Sequence, residues 1–176
     1  MKYIFLDVDG VLNNLKYTKK CYKKNGKKPF FGNNVPFNPK CLKRIAKIVK
    51  KTNAKLILSS TWRLDDISIK ILDSRLAEYG TRINDITPNI NQIRGLEIKK
   101  WLKNNNFNWS VDDFIVLDDE IEDIINHIDE NKVIKINPYY GLTWENMTDA
   151  IIRLSDWDGK LWIIKKKTSI LFKIMA

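Results

Sequence analysis

The chain has 176 residues, of which 44% are hydrophobic and 30% charged, so it suits one folded domain and is not disordered as a whole. Its two cysteines and one histidine exclude a disulfide framework and a Cys/His zinc site, and its formal net charge of +10 indicates attraction to polyanions. No apolar run approaches the roughly 20 residues of a membrane span. The N-terminal segment reaches Asp7 too soon for a signal peptide, so we expect a reducing, intracellular setting without membrane contact.

The first half of the chain contains two predicted strands and one predicted helix. Residues 3–6 and 55–58 are short, continuously apolar runs that are typical of buried parallel strands. Residues 38–51 are predicted to be a helix, because an Asn-Pro pair suits its N-cap and first position and apolar residues recur behind it at helical spacing. Residues 13–37 are lysine-rich and irregular. We expect a basic flap there, with a β-hairpin around its aromatic side chains as the favoured structure.

The second half of the chain continues this alternation. Helices are predicted over residues 66–78, 96–102 and 143–154, and strands over residues 114–117 and 133–136. Residues 157–176 form an extension of ambiguous structure, in which residues 161–164 are a candidate edge strand. Strands that alternate with helices predict a single α/β domain over residues 1–176, with a central and mainly parallel sheet.

Polar side chains follow three of the predicted strands at the point where each strand ends. Asp7 and Asp9 follow the first strand, Ser59 follows the second, and Asp118 with Asp119 follows the third. Because the C-terminal ends of parallel strands lie along one edge of a sheet, we expect these side chains to line one crevice. Carboxylates placed together raise one another's pKa unless a cation neutralises them, and Mg²⁺ prefers such oxygen ligands. The pattern therefore predicts a magnesium site.

A magnesium site of this composition suits phosphoryl transfer. One aspartate can attack phosphorus and form an aspartyl-phosphate, while the other protonates the leaving oxygen and then deprotonates the attacking water. Ser59 offers a hydroxyl and a strand-end N–H to the phosphoryl oxygens, and Arg94 or a nearby lysine offers positive charge.

The order of these motifs resembles that of a known superfamily. Four segments resemble the motifs of haloacid dehalogenase (HAD) superfamily phosphohydrolases: DVDGVL at residues 7–12, LILS at 56–59, Arg94, and IVLDD at 115–119. A closer resemblance, to the HAD domain of Swiss Army Knife RNA repair proteins, is carried by SSTWR at 59–63, TP at 87–88, RGLEI at 94–98, LDDE at 117–120 and GLT at 141–143. The 3′-phosphatase domain of polynucleotide kinase-phosphatases is similar to a lesser degree.

The resemblance implies a HAD-like Rossmannoid three-layer sandwich with a minimal or absent cap, and an Mg²⁺-dependent phosphoric monoester hydrolase. Lys99 and Lys100 are alternatives to Arg94 as the third-motif residue, which is often lysine in the superfamily. Trp62 is predicted to pack in the core, and Asp123 to belong to an exposed acidic turn, with support of the metal ligands as the alternative. The roles implied by the resemblance are nucleophile and metal ligand for Asp7, acid/base and metal binding through the backbone carbonyl for Asp9, phosphate binding for Ser59, phosphoryl binding for Arg94, and metal binding for Asp118 and Asp119.

The substrate is indicated by the room above the crevice and by the distribution of charge. The segments between the motifs are too short for a large cap, and an open crevice admits a macromolecule. Residues 10–64 contain 15 of the 31 basic residues and no acidic residue, which is typical of a polyanion binder and equally of a solvated lysine-rich face. Aromatic residues alternate with these lysines in a pattern that suits base stacking. The residues expected to contact the substrate are Gly10, Ser60, Arg63, Lys20 and Lys23.

We therefore predict a phosphatase that acts on nucleic-acid ends, with a 3′-phosphate as the preferred group. Three alternatives stay open: a small-molecule phosphatase such as a nucleotidase, a phosphoprotein phosphatase, and a nucleic-acid-binding module without turnover. The last ranks lowest because every expected acidic residue is present. No P-loop sequence occurs, so the kinase and ligase steps of end repair would belong to separate chains.

Overall fold

A parallel sheet forms the centre of the protein. The computed structural model describes residues 1–27 and 34–155. Its strands, in chain order, are β1 (Lys2–Leu6), β2 (Lys55–Leu58), β3 (Ile83–Ile86), β4 (Asp113–Asp118) and β5 (Val133–Lys135). They are all parallel and lie in the spatial order β3-β2-β1-β4-β5. The predicted α/β class is confirmed.

Helices cover both faces of this sheet. One hydrophobic core lies on the face that Leu42, Leu72 and Met147 pack against, and a second lies on the face of Ile98 and Ile124. The expected three-layer sandwich is therefore present. The helices are α1 (Leu15–Lys24), α2 (Pro39–Thr52), α3 (Asp66–Ala77), α4 (Arg94–Asn104), α5 (Glu122–Ile125) and α6 (Trp144–Leu154), so α2, α3 and α6 face the first core and α4 and α5 the second.

The register of the sheet brings three strand ends to one level. Leu6 of the central strand β1 pairs with Leu58 of β2 on one side and with Leu117 of β4 on the other. These three leucines are fully buried, as expected for strands that helices cover on both faces. The polar residue that follows each leucine is thereby placed at the same edge of the sheet.

Two helix starts agree with the sequence prediction. The side chain of Asn38 accepts a hydrogen bond from Lys40 N–H at 3.0 Å, and Pro39 is the first residue of α2. Thr143 is the N-cap of α6 and forms a capping box with Asn146. Each cap satisfies backbone N–H groups that a helix leaves unpaired, which is worth about 1 kcal/mol.

Three elements differ from the prediction. The β-hairpin expected in the basic flap is wrong for Leu15–Lys24, which is a helix that starts where Asn14 accepts a hydrogen bond from the N–H of Tyr17. β3 was not predicted because its sequence, INDI, is half polar, and the strand lies exposed at the sheet edge. α4 starts at Arg94, two residues before the predicted start.

Two parts of the sequence prediction lie outside the described residues. They are the aromatic residues Phe30 and Phe31 of the basic stretch, and the extension over residues 157–176 with its candidate strand at 161–164. The single domain over residues 1–176 therefore stays a prediction. Over residues 1–27 and 34–155, none of the helices combines the length and the hydropathy needed to cross a bilayer.

Candidate active site

The candidate residues stand at the C-terminal edge of β1, β2 and β4, where open parallel sheets bind their ligands. Asp7 N–H donates to Leu117 O and Ser59 N–H donates to Leu6 O, both at 3.0 Å. The sheet ladder thus continues past the strand ends and fixes the backbone of Asp7 and Ser59. It also takes up the Ser59 N–H, so the expectation that this N–H faces a phosphoryl group is wrong.

Asp7, Asp118 and Asp119 form a carboxylate cluster at this edge. One oxygen of each side chain lies within 4.8 Å of the other two. Burial, followed by the negative charge of Asp118, raises the pKa of Asp7 to about 8. Burial also raises the pKa of Asp118 to about 6 and raises that of the half-buried Asp119. Without a cation, the ionised forms of these three carboxyl groups are therefore disfavoured, and a bound cation would neutralise their charge.

Arg94 supplies one positive charge to this cluster. Its guanidinium pairs with Asp118, and its Nη1 lies 3.6 Å from Oδ1 of Asp7. Burial opposes the charged form, but Asp118 and Asp7 raise the pKa of Arg94, so the guanidinium stays charged. The backbone N–H of Arg94 donates to Oδ2 of Asp123 at 2.6 Å, which fixes the first residue of α4. Lys99 and Lys100, the alternative third-motif residues, are exposed on the same helix.

Asp9 is exposed, but neutral donors hold both of its carboxylate oxygens. Asn13 Nδ2 donates to Oδ1 at 2.6 Å, and the indole Nε1 of Trp62 donates to Oδ2 at 2.9 Å. The Trp62 ring is buried and packs against Phe37 with 5.4 Å between centroids. Trp62 therefore packs as predicted and in addition orients the side chain of Asp9.

Gly10 turns the chain between Asp9 and Asn13. Its φ of +72° lies in the left-handed region, which favours glycine. Its N–H donates to Asn13 Oδ1 at 3.1 Å, and a Cβ at this position would overlap the carboxylate of Asp119. A larger residue would displace one member of the carboxylate cluster.

The two serines after β2 have different surroundings. The hydroxyl of Ser59 is buried and, within residues 1–27 and 34–155, is one of two buried side-chain polar atoms without a hydrogen-bond partner. Such an orphan hydroxyl is a ready donor for a bound group. The hydroxyl of Ser60 interacts with Asp7 and favours the ionised form of that carboxylate by lowering its pKa.

Arg63 uses its guanidinium inside the protein. Its Nη1 donates to Ser59 O at 2.9 Å and to Ser60 O at 2.8 Å, and its Nη2 pairs with Glu97 Oε2 at 2.5 Å. Both charged side chains are buried, and Glu97 Oε1 also accepts from the N–H of Ile90 at 2.9 Å. The expected substrate contact of Arg63 is not supported by these partners, which make it a positioning residue for the loop after β2.

Lys20 and Lys23 lie exposed on α1, outside the carboxylate cluster. Lys20 lines a cleft of about 530 Å³ between α1, the start of α2 and the segment before α6. Lys23 follows one turn later on the same helix. Neither lysine belongs to the acidic centre, and substrate contact by Lys20 and Lys23 stays a prediction.

The family of the chain is decided by comparison with known proteins. A model of the family described as the HAD domain in Swiss Army Knife RNA repair proteins matches residues 3–147. The chain belongs to this family. No match was found among curated proteins or among solved structures. Residues 3–147 contain every residue of the carboxylate cluster and all five strands except Lys2, the first residue of β1. Membership of this family implies a hydrolase, of the phosphatase class.

The acidic centre of this HAD domain fits a hard divalent cation. All three members of the cluster offer carboxylate oxygens, which are the ligands that Mg²⁺ prefers. Asp7, Asp118 and Asp119 would hold such an ion. The carboxylate of Asp9 is taken by Asn13 and Trp62, so the backbone of Asp9 is the part left for the metal contact that the resemblance implies.

Sequence reasoning missed several residues that position the site of this HAD domain. Asn13 follows Asp9 by four residues, and this spacing indicates only weakly that the two side chains meet. Trp62 was assigned to packing alone. Asp123 was assigned to an exposed turn but accepts the backbone N–H of Arg94. Glu97 belongs to the RGLEI segment, but its pairing with Arg63 carried no signal, because the two residues are 34 positions apart in sequence and on different elements.

Proposed function

We propose that this HAD domain is an Mg²⁺-dependent phosphomonoesterase that forms an aspartyl-phosphate on Asp7 and acts on nucleic-acid ends, with a 3′-phosphate as the preferred group. The observation that carries the proposal is the carboxylate cluster, within 4.8 Å and next to Arg94, at the strand ends of a parallel sheet. Bound Mg²⁺ would neutralise the cluster and the charge that develops on the phosphoryl oxygens.

The first half of the reaction transfers the phosphoryl group to the protein. An oxygen of Asp7 attacks phosphorus, the bond to the leaving oxygen breaks, and Asp9 gives that oxygen its proton. Arg94 and the orphan hydroxyl of Ser59 bind the phosphoryl oxygens, which carry the growing charge. The products are a terminal hydroxyl group and an aspartyl-phosphate.

The second half releases inorganic phosphate. Asp9, now ionised, accepts a proton from a water molecule, and that water attacks the phosphorus of the aspartyl-phosphate. The bond between phosphorus and the Asp7 oxygen breaks, which restores the carboxylate. Exposure of Asp9 favours this role because proton transfer to and from water needs solvent access, while Trp62 and Asn13 keep the carboxylate aimed.

The choice of nucleic acid rests on charge and on family. The matching family is named for RNA repair proteins, and α1, which follows the segment of Asp7 and Asp9, carries exposed lysines. A polyanion is the ligand that such a surface attracts most.

The experiment compares phosphate release from three substrates with Mg²⁺: a 3′-phosphorylated oligonucleotide, a 3′-mononucleotide and a phosphopeptide. The expected result is preference for the oligonucleotide, a preference that declines with added salt, and no release by Asp7→Asn. Better turnover of the mononucleotide would contradict the proposal and indicate a nucleotidase. Better turnover of the phosphopeptide would contradict it and indicate a phosphoprotein phosphatase.

A further inference from the structure

Three exposed aromatic residues that follow β5 pair with three lysines of α1 and α2. The rings expose between 39% and 55% of their surface. Each ring has a lysine ammonium over its face, within cation–π range. The pairs that define this aromatic–lysine surface are Lys16 over Tyr140 at 5.3 Å from the centroid, Lys19 over Tyr139 at 5.6 Å, and Lys47 over Trp144 at 4.6 Å.

The backbone beneath the surface is held by contacts between α1, α2 and the segment before α6. Lys16 N–H donates to Tyr139 O at 3.1 Å, and Arg44 Nη1 donates to Leu142 O at 2.9 Å. Gly141, with a φ of +69°, packs so closely that a Cβ there would overlap the neighbouring segments. The surface is therefore built in advance around the cleft of about 530 Å³.

The surface and the acidic centre lie on the same side of the sheet, because the rings follow the C-terminal end of β5 and Leu15 N–H of α1 donates to Pro138 O in that segment. Asn13 donates to Asp9, and the next residue, Asn14, lines the cleft. Ile136 N–H donates to Asp118 O at 2.8 Å, three residues before the first ring of the surface. The rings therefore stand on the side of the sheet from which a chain would reach the carboxylate cluster.

The chemistry of the surface selects the kind of ligand. Exposed aromatic side chains stack on unpaired bases, and lysines next to them bind the phosphates between those bases. Tyr139 and Tyr140 also contact each other edge to face, with 4.9 Å between their centroids. A duplex buries its bases and offers them no stacking face. An acidic peptide would satisfy the lysines but would leave the three rings without flat partners. Within the described residues, Glu145 is the one carboxylate that lines the cleft.

We propose that the aromatic–lysine surface binds the single-stranded segment next to the terminal phosphate, by stacking at least two bases on its rings. This inference rests on the proposed function, since it concerns the nucleic acid whose end reaches Asp7. It assigns the preference for single-stranded ends to residues that lie outside the acidic centre.

The test measures binding by fluorescence anisotropy of a labelled single-stranded RNA of about ten nucleotides that ends in a 3′-hydroxyl, so that no phosphate occupies the acidic centre. The full chain is used throughout. Replacing both Tyr140 and Trp144 by alanine is expected to weaken binding on the order of tenfold or more. The matched control is Trp109→Ala, because Trp109 is also exposed. Its ring contacts Phe107 and Phe114 near the start of β4, whereas the acidic centre lies at the end of that strand. The control is expected to bind RNA like the unchanged protein.

The lysines are tested through the salt dependence of the same binding. Replacing Lys16 and Lys47 by alanine is expected to reduce the slope of log Kd against log salt by about 1.4, at about 0.7 for each phosphate contact of a single strand. Lys55→Ala, at the N-terminal end of β2 and away from the surface, is expected to leave the slope unchanged. Glu145→Gln is expected to tighten binding. A blunt duplex of the same sequence is expected to bind more weakly than the single strand.

Hydrolysis of p-nitrophenyl phosphate separates this inference from the proposed function. The Tyr140/Trp144 variant is expected to retain this hydrolysis, which also shows that it folds. RNA binding that is unchanged in this variant, equal binding of the duplex, or equal competition by an acidic phosphopeptide would overturn the inference while leaving the phosphatase intact. Loss of RNA binding in this variant, in a protein that hydrolyses no phosphomonoester, would support the surface and contradict the proposed function.

Discussion

Asp7 and Asp9 are separated by one residue, yet their side chains meet different environments. Asp7 is buried between Asp118 and Arg94, and its pKa is raised to about 8. Asp9 is exposed and is held by two neutral donors. A buried carboxylate beside a cation site suits attack on phosphorus, and an exposed one suits exchange of protons with water. Local surroundings therefore support the division of roles between two identical side chains.

At this scale, Trp62→Phe tests how Asp9 is oriented. The phenyl ring keeps most of the packing on Phe37 but removes the N–H that donates to Asp9. We expect kcat to fall on the order of tenfold with KM little changed, because a misaimed acid/base affects the transition state more than binding. Steady-state kinetics on the oligonucleotide substrate measure both constants.

The matched control is Trp101→Phe. Trp101 is also buried, and its Nε1 donates to Asp85 Oδ2 at 2.7 Å rather than to a residue of the acidic centre. The same loss of an indole N–H should leave kcat unchanged there. An equal fall of kcat in both variants would contradict the positioning role of Trp62 and indicate a general effect on packing.

Individual residues were predictable where a strand end determined their place. Asp7 follows an apolar run directly and Asp118 ends one, so a parallel sheet places both at its C-terminal edge, and the pairing of β1 with β4 then brings them together. The partners of Asp9 depend on the turn at Gly10 and on where the 3-10 helix Thr61–Leu64 places the Trp62 ring. A hydrogen bond across 53 residues is set by the folded geometry and leaves no periodic pattern in the sequence.

At the scale of elements, the Arg63–Glu97 ion pair joins the loop after β2 to α4. Both side chains are buried, so removing one charge leaves the other without a partner in an apolar region. Because the pair links the segment of Ser59 to the helix that begins at Arg94, it holds two functional parts in register. Loss of this ion pair is therefore expected to lower the free energy of unfolding by a large amount.

We expect Arg63→Met to lower the free energy of unfolding by about 3–5 kcal/mol, the usual cost of leaving a buried charge unpaired. Urea unfolding followed by circular dichroism measures this difference. Arg75→Ala, which breaks an ion pair with Glu78 on the surface of α3, is the control and should cost less than about 1 kcal/mol. Similar values for the two variants would contradict the structural role of the buried pair.

Elements were predictable where apolar periodicity was strong. α2 combines an Asn-Pro start with an apolar face and was predicted nearly to the residue, whereas α1 contains mainly lysine and polar residues and has no buried side chain. β3 at the sheet edge needs only one buried face, so its polar sequence carried no strand signal. Two elements that the sequence did not reveal, α1 and β3, have no buried side chain of their own.

At the scale of the whole molecule, Mg²⁺ binding and stability are coupled through the carboxylate cluster. The ordinary aspartate pKa is about 3.9, and the folded values of Asp7 and Asp118 are raised to about 8 and about 6. The metal-free folded state therefore binds protons more tightly than the unfolded chain. This contribution to stability is fully present below about pH 3.9 and is lost as the pH rises through the two folded values.

Mg²⁺ takes the place of these protons. We expect saturating Mg²⁺ to raise the Tm more at about pH 8.5 than at about pH 5.5, because protons compete for the same oxygens. Differential scanning fluorimetry at matched ionic strength measures the two shifts. Asp118→Asn should abolish most of the shift at the higher pH. A shift that is equal at both pH values, or unchanged in this variant, would contradict metal binding at the cluster.

The central claim is that Asp7 carries the phosphoryl group during turnover. The most direct measurement mixes the protein and Mg²⁺ with an oligonucleotide whose 3′-phosphate is radiolabelled, quenches with acid within one turnover, and follows the label on the protein. We expect a hydroxylamine-sensitive adduct on the unchanged protein and none on Asp7→Asn. Release of phosphate by Asp7→Asn at the unchanged rate, or an adduct that this substitution does not abolish, would contradict the account.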